Sequence, residues 1–270
     1  MATMPGMPFT ISHAAAVLPL GKTRLPLAAL MIGSLSPDFA YFLPVELART
    51  STHNLNGILL FCLPVSLVLW LLFVRVLERP TIELLPAAWR ERVPRSDPLS
   101  WRGLCFAGIA VIVGAITHVV WDAFTHAHTF VTNAFPAMHA EAFRIYGSPV
   151  RVFFILQVLS SIFGLLALAW WARGLRHSAI RVAPATGSHG ALSDRARLAA
   201  VAAIVAASVV TALASYAVNA DELIEYRFFR MLIGGMTGWL LGWCFVAVVI
   251  NRAMRPARPA VANYWSARKS

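Results

Sequence analysis

The chain has 270 residues, of which 59% are hydrophobic and only 13% are charged. An ordinary soluble domain is about 45–50% apolar and about 25% charged, so this composition excludes a soluble globular protein. The net charge of +11 comes mostly from arginines that flank apolar runs; such arginines set membrane orientation, so the charge does not indicate a nucleic-acid partner.

The N-terminal residues lack the order of a secretory signal, which places basic residues before its apolar stretch. Here the first basic residues, Lys22 and Arg24, follow the first apolar stretch. We therefore expect the mature chain to begin near Met1.

The apolar residues 25–44 are interrupted by the sequence GSLSPD. A proline and an aspartate in the middle of a membrane helix are both unfavourable. The sequence therefore predicts a short helix, a break at GSLSPD and a return, which together form an N-terminal re-entrant region.

Five later stretches each reach the roughly 20 mostly apolar residues that a spanning helix needs. They are residues 57–77, 103–121, 151–172, 198–218 and 232–250. The fourth is rich in small residues, which allow helices to approach closely. The predicted fold is all-α, a polytopic membrane helix bundle. We treat residues 1–270 as one integral membrane domain, made of an N-terminal segment 1–56, a five-helix bundle 57–250 and a basic tail 251–270.

The connections between these stretches differ in their content of arginine and lysine. Residues 78–102, residues 173–197 and the tail from 251 carry five each, whereas residues 122–151 and 219–231 carry two each. Positive charge is more frequent on the cytoplasmic side of a membrane protein. We therefore expect a cytoplasmic C-terminus in the inner (plasma) membrane, with residues 1–56, 122–151 and 219–231 on the outer face.

The most specific local pattern is HVVWDAFTHAH at residues 118–128. His118, Asp122 and His126 follow one another at intervals of four, so on a continuous helix they drift by only about 80° and share a face. Imidazole and carboxylate at this spacing can bind one divalent cation from a single helix. The alternative is a histidine–aspartate hydrogen bond at a wet helix end.

The remaining histidines extend this pattern, because six of the eight fall in segments assigned to the outer face: His13, His53, His118, His126, His128 and His139. An ionisable residue at membrane depth usually faces a protein interior, which makes Asp38 a partner for them. Two cations about 3.5–4 Å apart can activate water and clamp the reacting oxygens of a phosphoester. The set favours phosphate-ester hydrolysis; the alternative is that some of these histidines, particularly His139 and one of His126 or His128, are ordinary polar interfacial residues.

Three motifs resemble those of an uncharacterised family of bacterial multi-pass membrane proteins. MPFTISHAAAVLPL matches its PFTxSHAA start, IGSLSPDFAYF its GSxxPDxxYF element and HVVWDAFTH its HxxxDxxTH element. That family is similar to membrane-bound metal-dependent hydrolases of bacterial inner membranes, which carry an early His, a PDxDH, a further His and an HxxxD. The resemblance implies a bound divalent metal with these ligands: His13, Asp38, His53, His118 and Asp122.

The chain departs from those hydrolases directly after its PD pair, where Phe39, Ala40 and Tyr41 stand in place of a second Asp and a His. Either the chain is not an active hydrolase, or His126 and His128 replace the missing ligands. A more distant likeness is to zinc-dependent phospholipase C. This chain has the same order of ligands as far as HxxxD and the following His, but it lacks the closing HxxxE.

The leading hypothesis is a metal-dependent hydrolase, with zinc as the expected cation, acting on a phosphate-ester or lipid-linked substrate at the outer membrane face. His126 or His128 would complete the metal shell or protonate the leaving group. We expect membrane lipids as partners. The alternative is a non-catalytic membrane protein whose cluster binds a metal or a proton for transport, sensing or assembly. The scarcity of polar residues in the last three stretches disfavours a transport pathway.

Overall fold

The computed structural model describes residues 10–42, 48–93, 95–96, 100–145, 147–176 and 192–254. Most of the predicted basic tail, together with residue 44, lies outside the described residues. Helices dominate the described part of the chain and strand is confined to one short hairpin, which confirms the predicted all-α class.

The α-helices, in chain order, have these bounds: α1 Leu27–Leu35, α2 Arg49–Thr52, α3 Leu55–Gly57, α4 Leu63–Leu72, α5 Glu78–Leu84, α6 Ala87–Arg90, α7 Trp101–Thr125, α8 Phe130–Ala134, α9 Val152–Arg176, α10 Asp194–Val218 and α11 Ile224–Ala253. Helical turns of other types lie at Thr10–Lys22, Ser36–Phe42 and Pro136–His139 (3₁₀) and at Ile58–Cys62 and Phe73–Leu77 (π). The antiparallel hairpin consists of β1 Glu141–Ile145 and β2 Ser148–Arg151.

Among the described residues, five helical runs are long and apolar enough to cross a membrane: Leu55–Leu84, Trp101–Ala134, Val152–Leu175, Asp194–Val218 and Tyr226–Ala253. We number them spans 1 to 5. They cover the five predicted stretches, residue 151 excepted, and confirm the polytopic bundle. The observed runs extend beyond the predicted ones because backbone hydrogen bonding continues through the polar turns at the helix ends, which apolar length does not detect.

Span 1 contains two π turns, each followed within three residues by a proline. Proline has no N–H, so the carbonyl four residues before it loses its usual donor. For Pro80 that carbonyl belongs to Val76, and it accepts a hydrogen bond from Asn251 Nδ2 at 2.8 Å. The proline-induced irregularity thus attaches span 1 to α11.

The predicted break at GSLSPD is a change of helix type, because the backbone stays helical from Leu27 to Phe42. Pro37 cannot donate to the carbonyl of Gly33. That carbonyl instead accepts hydrogen bonds from the backbone N–H of Ser36 and from its Oγ, the latter at 2.7 Å. The switch from α1 to the 3₁₀ turn Ser36–Phe42 keeps Asp38 buried against the bundle.

Two glycines bring α1 and α7 into backbone contact. A Cβ on Gly33 would lie 2.4 Å from the carbonyl oxygen of Val111, and one on Gly114 would lie 2.3 Å from that of Leu30. Any larger residue would force the helices apart. The main buried core surrounds this contact and includes Val17, Ala29, Leu30, Trp70, Ala107, Ala110 and Val111.

Span 4 packs closely on span 5, as its small residues predict. Ser208 Oγ donates to the carbonyl of Gly235 at 2.8 Å, and a Cβ on Gly238 would lie 2.5 Å from the carbonyl oxygen of Ala207. Outside this pair, α10 also contacts α5. Spans 4 and 5 therefore form a helical hairpin joined to the rest of the bundle mainly through α11.

Candidate metal centre

Four separate segments converge at the end of the bundle where α7 terminates, and they bring all five predicted ligands together. His13 comes from the 3₁₀ segment Thr10–Lys22, Asp38 from Ser36–Phe42, His53 from the residue that ends α2, and His118 and Asp122 from α7. Each of these side chains is no more than 10% exposed. We call these five residues the His/Asp cluster.

Two imidazole nitrogens of the cluster, His53 Nε2 and His118 Nε2, each lie close to one oxygen of Asp38 and one oxygen of Asp122. His53 Nε2 lies 3.4 Å from Asp38 Oδ1 and 3.3 Å from Asp122 Oδ2. His118 Nε2 lies 3.6 Å and 3.3 Å from the same two oxygens. These separations exceed normal hydrogen-bond lengths. They match the roughly 3.3–3.4 Å that separates ligands around a tetrahedral cation with bonds of about 2.0–2.1 Å.

Backbone carbonyls determine which ring nitrogen carries the hydrogen in two of these histidines. His118 Nδ1 lies 2.7 Å from the carbonyl oxygen of Ser34, and His53 Nδ1 lies 3.0 Å from that of Arg49. A carbonyl only accepts, so both Nδ1 atoms donate and both Nε2 atoms of the neutral rings carry lone pairs.

The two Nε2 atoms are buried and have no hydrogen-bond partner. Each instead points a lone pair at a carboxylate, an arrangement that is unfavourable unless a proton or a cation lies between them. Asp38, His53 and His118 each offer one ligand atom within 4.8 Å of the others, which is close enough to share a metal ion. The donor set therefore fits a divalent cation.

The second oxygen of Asp122 lies beside His13 and His126. Asp122 Oδ1 is buried without a hydrogen-bond partner and lies 3.5 Å from His13 Nε2. The His13 ring stacks on the His118 ring with centroids 4.0 Å apart. His13, His118 and Asp122 also offer ligand atoms that lie within 4.8 Å of one another, so the cluster contains a second candidate set of three ligands, which shares His118 with the first.

Two residues that the sequence analysis missed hold the carboxylates in place. Thr10 Oγ1 donates to Asp38 Oδ2 at 2.6 Å, and Arg49 NH2 donates to Asp122 Oδ2. The Arg49 side chain is 30% exposed, which makes it the most accessible of these groups. Both residues lie near predicted ligands in the sequence: Thr10 is in the PFTxSHAA motif and Arg49 precedes His53 by four residues.

The site controls the protonation of two cluster residues outside the spans, His13 and Asp38. Burial, with the neighbouring His118 as the second cause, lowers the pKa of His13 to about 3, so this imidazole is neutral at physiological pH. Burial alone would raise the pKa of Asp38, but the adjacent His118 and His53 outweigh it and lower that pKa to about 2. Neutral imidazole and ionised carboxylate are the forms that bind metals.

The two histidines predicted to complete the site lie in different places. His126 ends α7, with Nδ1 3.4 Å from Asp122 Oδ1 and Nε2 3.1 Å from the Gln157 amide nitrogen. Because that amide donates to Nε2, the Nδ1 of His126 carries the hydrogen and faces Asp122. His128 instead lies beside His139, with ring centroids 5.8 Å apart. The structure brings His126 to the cluster and does not bring His128 to it.

A family model described as a domain of unknown function (DUF4184) matches residues 7–250. This range contains all five residues of the His/Asp cluster and nearly all of the five spans. No curated protein and no solved structure matches the chain. The family description names no activity, so the function has to be argued from the site.

Proposed function

The chain belongs to the DUF4184 family, and we propose that it is a membrane-bound metal-dependent hydrolase of phosphate-ester or lipid-linked substrates. Asp38, His53 and His118 hold the cation, and zinc is the ion that suits this donor set best. The proposal depends on one observation: two buried Nε2 atoms without hydrogen-bond partners lie 3.3–3.6 Å from two carboxylate oxygens.

Asp122 has a different role from the other three in this proposal. Catalytic zinc sites bind three protein ligands and leave a fourth position for water or substrate. Asp122 Oδ2 lies 3.3 Å from both Nε2 atoms but is already paired with Arg49, and Asp122 is not part of the set formed by Asp38, His53 and His118. We therefore assign Asp122 as the group that accepts a proton from the attacking water.

A divalent cation in this position would lower the pKa of bound water and polarise a phosphoryl oxygen. The protein supplies the remaining functions. Ser34 and Thr10 orient His118 and Asp38, which is the usual task of residues behind a metal ligand. His126, held by Gln157 with its Nδ1 hydrogen toward Asp122, would stabilise the departing oxygen through a hydrogen bond.

Arg49 favours an anionic substrate. Its guanidinium is the most exposed of the charged groups around the centre, and arginine binds phosphate through two parallel hydrogen bonds. A substrate phosphate that reaches the centre meets Arg49 at its rim. This supports a phosphate ester over a neutral carboxylic ester.

A release assay tests the proposed reaction. Protein reconstituted in phospholipid vesicles should release diacylglycerol or a phosphate-bearing head group, a zinc chelator should stop the release, and added zinc should restore it. Asp122→Asn should lower the rate by about 10²–10⁴-fold, the range of general acid–base catalysis, and retain the cation. His139→Gln is the matched control outside the cluster. Release that survives the chelator would contradict the proposal.

The alternative is a non-catalytic cluster that binds a proton or a metal. The Arg49–Asp122 pair favours it, because a guanidinium already neutralises one of the two buried carboxylates. Bound metal without any release of lipid products would support this alternative. The same assay therefore separates the two functions.

A further inference from the structure

A cavity of about 640 Å³ lies between the segment Thr10–Lys22, α7 and α9. Ile116, Val120 and Phe124 line one side at helical intervals of four, and Leu156 and Leu159 line the other. Its volume is typical of cavities that hold a small molecule. Its lining matches a hydrocarbon rather than a polar ligand.

The cavity opens toward the position of the bilayer. Val120 is 49% exposed, Phe124 is 47% exposed and Leu159 is 58% exposed, and all three belong to spans. From Ile116 to Thr125 the α7 wall is about 13.5 Å long at the rise of an α-helix. A lipid chain aligned with the spans can therefore enter sideways and lie along α7.

Trp121 and Thr125 line the cavity and also contact the His/Asp cluster and its neighbour His126. The Trp121 ring packs edge-on against the His13 ring with centroids 5.6 Å apart. Its Nε1 donates to Ser160 Oγ of α9 at 3.1 Å, which fixes the indole across the gap between the two spans. Thr125 Oγ1 lies 3.2 Å from His126 Nδ1. The apolar cavity and the metal centre thus share a wall.

We propose that this cavity binds the hydrocarbon chain of a phosphate-bearing lipid and holds its phosphate toward the metal centre. The lipid would be the substrate of the proposed hydrolase, so its assignment as a substrate rests on the proposed function. Charge complementarity supports the choice of lipid, because Arg49, which pairs with Asp122 next to Trp121 in the chain and is 30% exposed, offers a cationic group to the phosphate. Chain binding itself requires neither the cation nor the reaction.

Photolabelling tests the cavity directly. The full chain is reconstituted in vesicles that contain phosphatidic acid with a diazirine near the end of one acyl chain, and adducts are mapped by mass spectrometry. We expect adducts to concentrate on the cavity residues of α7 and α9. Leu159→Trp should fill the cavity and lower those adducts about tenfold, a loss of about 1.4 kcal/mol of binding.

Leu213→Trp is the matched control, because Leu213 on α10 is 59% exposed and Leu159 is 58% exposed. It should leave the cavity adducts unchanged. Adducts spread equally over α10 and the cavity would overturn the proposal, since they would report ordinary lipid around the bundle. An unchanged adduct level in Leu159→Trp would overturn it as well.

Two further arms identify the ligand chemistry. Diacylglycerol with the same diazirine chain but no phosphate should label the cavity less than phosphatidic acid; equal labelling would contradict a phosphate-directed site. Glycerol phosphate, which has no chain, should not compete for labelling at concentrations where phosphatidic acid does. Zinc content, measured in the same samples, tests the proposed function separately. Labelling of the cavity in protein that contains no zinc would support the lipid site and contradict the hydrolase.

Discussion

Arg49 donates a hydrogen bond to Asp122 from the first residue of α2, across the cluster from α7. In this position it restrains the carboxylate that we assign as the base and remains accessible to an anionic substrate. A lysine in its place retains the charge but not the paired, planar donors. The contribution of Arg49 can therefore be measured with two substitutions.

We predict that Arg49→Ala retains zinc and lowers kcat/KM for a phosphate ester by about 10²–10³-fold, the usual effect of losing one positioned donor at a reacting centre. Arg49→Lys should recover part of the loss. The measurement is steady-state hydrolysis by reconstituted protein, with zinc content determined on each sample. Loss of zinc in Arg49→Ala would instead assign the guanidinium to holding the site together.

Individual residues of the site differ in how far the sequence predicts them. The spacing of His118, Asp122 and His126 predicts a shared face if the helix continues that far; α7 ends at Thr125, yet His118 and His126 lie 3.3 Å and 3.4 Å from the two oxygens of Asp122. The roles of Arg49 and Thr10 depend on contacts over 73 and 28 residues of chain. Local periodicity carries no information about such contacts, which arise only when separate segments pack together.

At the scale of elements, the glycine contact between α1 and α7 positions two residues of the His/Asp cluster, His118 and Asp38. It brings the Ser34 carbonyl within 2.7 Å of His118 Nδ1 and continues into the 3₁₀ turn that carries Asp38. The spacing of the two backbones is therefore part of what shapes the His/Asp cluster.

We predict that Gly33→Ala and Gly114→Ala each lower the free energy of unfolding by about 1–3 kcal/mol, as overpacking does. Both should also weaken zinc binding, because separation of the helices moves the Ser34 carbonyl away from His118. Gly108→Ala on the same helix is the control, since its Cβ would meet only a Leu63 methyl group at 3.9 Å. Equal effects of the three substitutions, in denaturant unfolding and zinc titration, would show that the contact does not position the site.

The helices themselves follow from the sequence more directly than their partners do. Apolar length identifies all five spans, and the prolines mark where span 1 and the α1 region leave α-helical geometry. Apolar length does not reveal which helices are neighbours, so the contact of α1 with α7 was not predicted. The hairpin β1–β2 was also missed: its residues are almost all exposed and carry no buried alternation.

At the scale of the whole molecule, the orientation of the bundle decides which compartment the His/Asp cluster faces. The arginine and lysine distribution predicts that it faces outward and that the C-terminus is cytoplasmic. The three native cysteines all lie within spans, so the unsubstituted chain provides the background for labelling of added cysteines from one side.

We predict that Ser148→Cys reacts with a membrane-impermeant maleimide in intact spheroplasts, whereas Arg95→Cys reacts only after permeabilisation. Ser148 begins β2 in the connection with two arginines, and Arg95 lies in a connection with five. The measurement is the fraction of each variant that is labelled. The reverse pattern would move the metal centre to the cytoplasmic face.

The central claim is that the His/Asp cluster binds a metal ion, and elemental analysis of the purified protein tests it most directly. We predict stoichiometric zinc in the unsubstituted chain and its loss in the double variant His53→Gln, His118→Gln, which removes both unpartnered Nε2 atoms. The matched double variant His128→Asn, His139→Gln should keep its zinc; asparagine suits the positive φ of His128. A chain that purifies folded without a transition metal, or that retains it in the first double variant, would contradict this account.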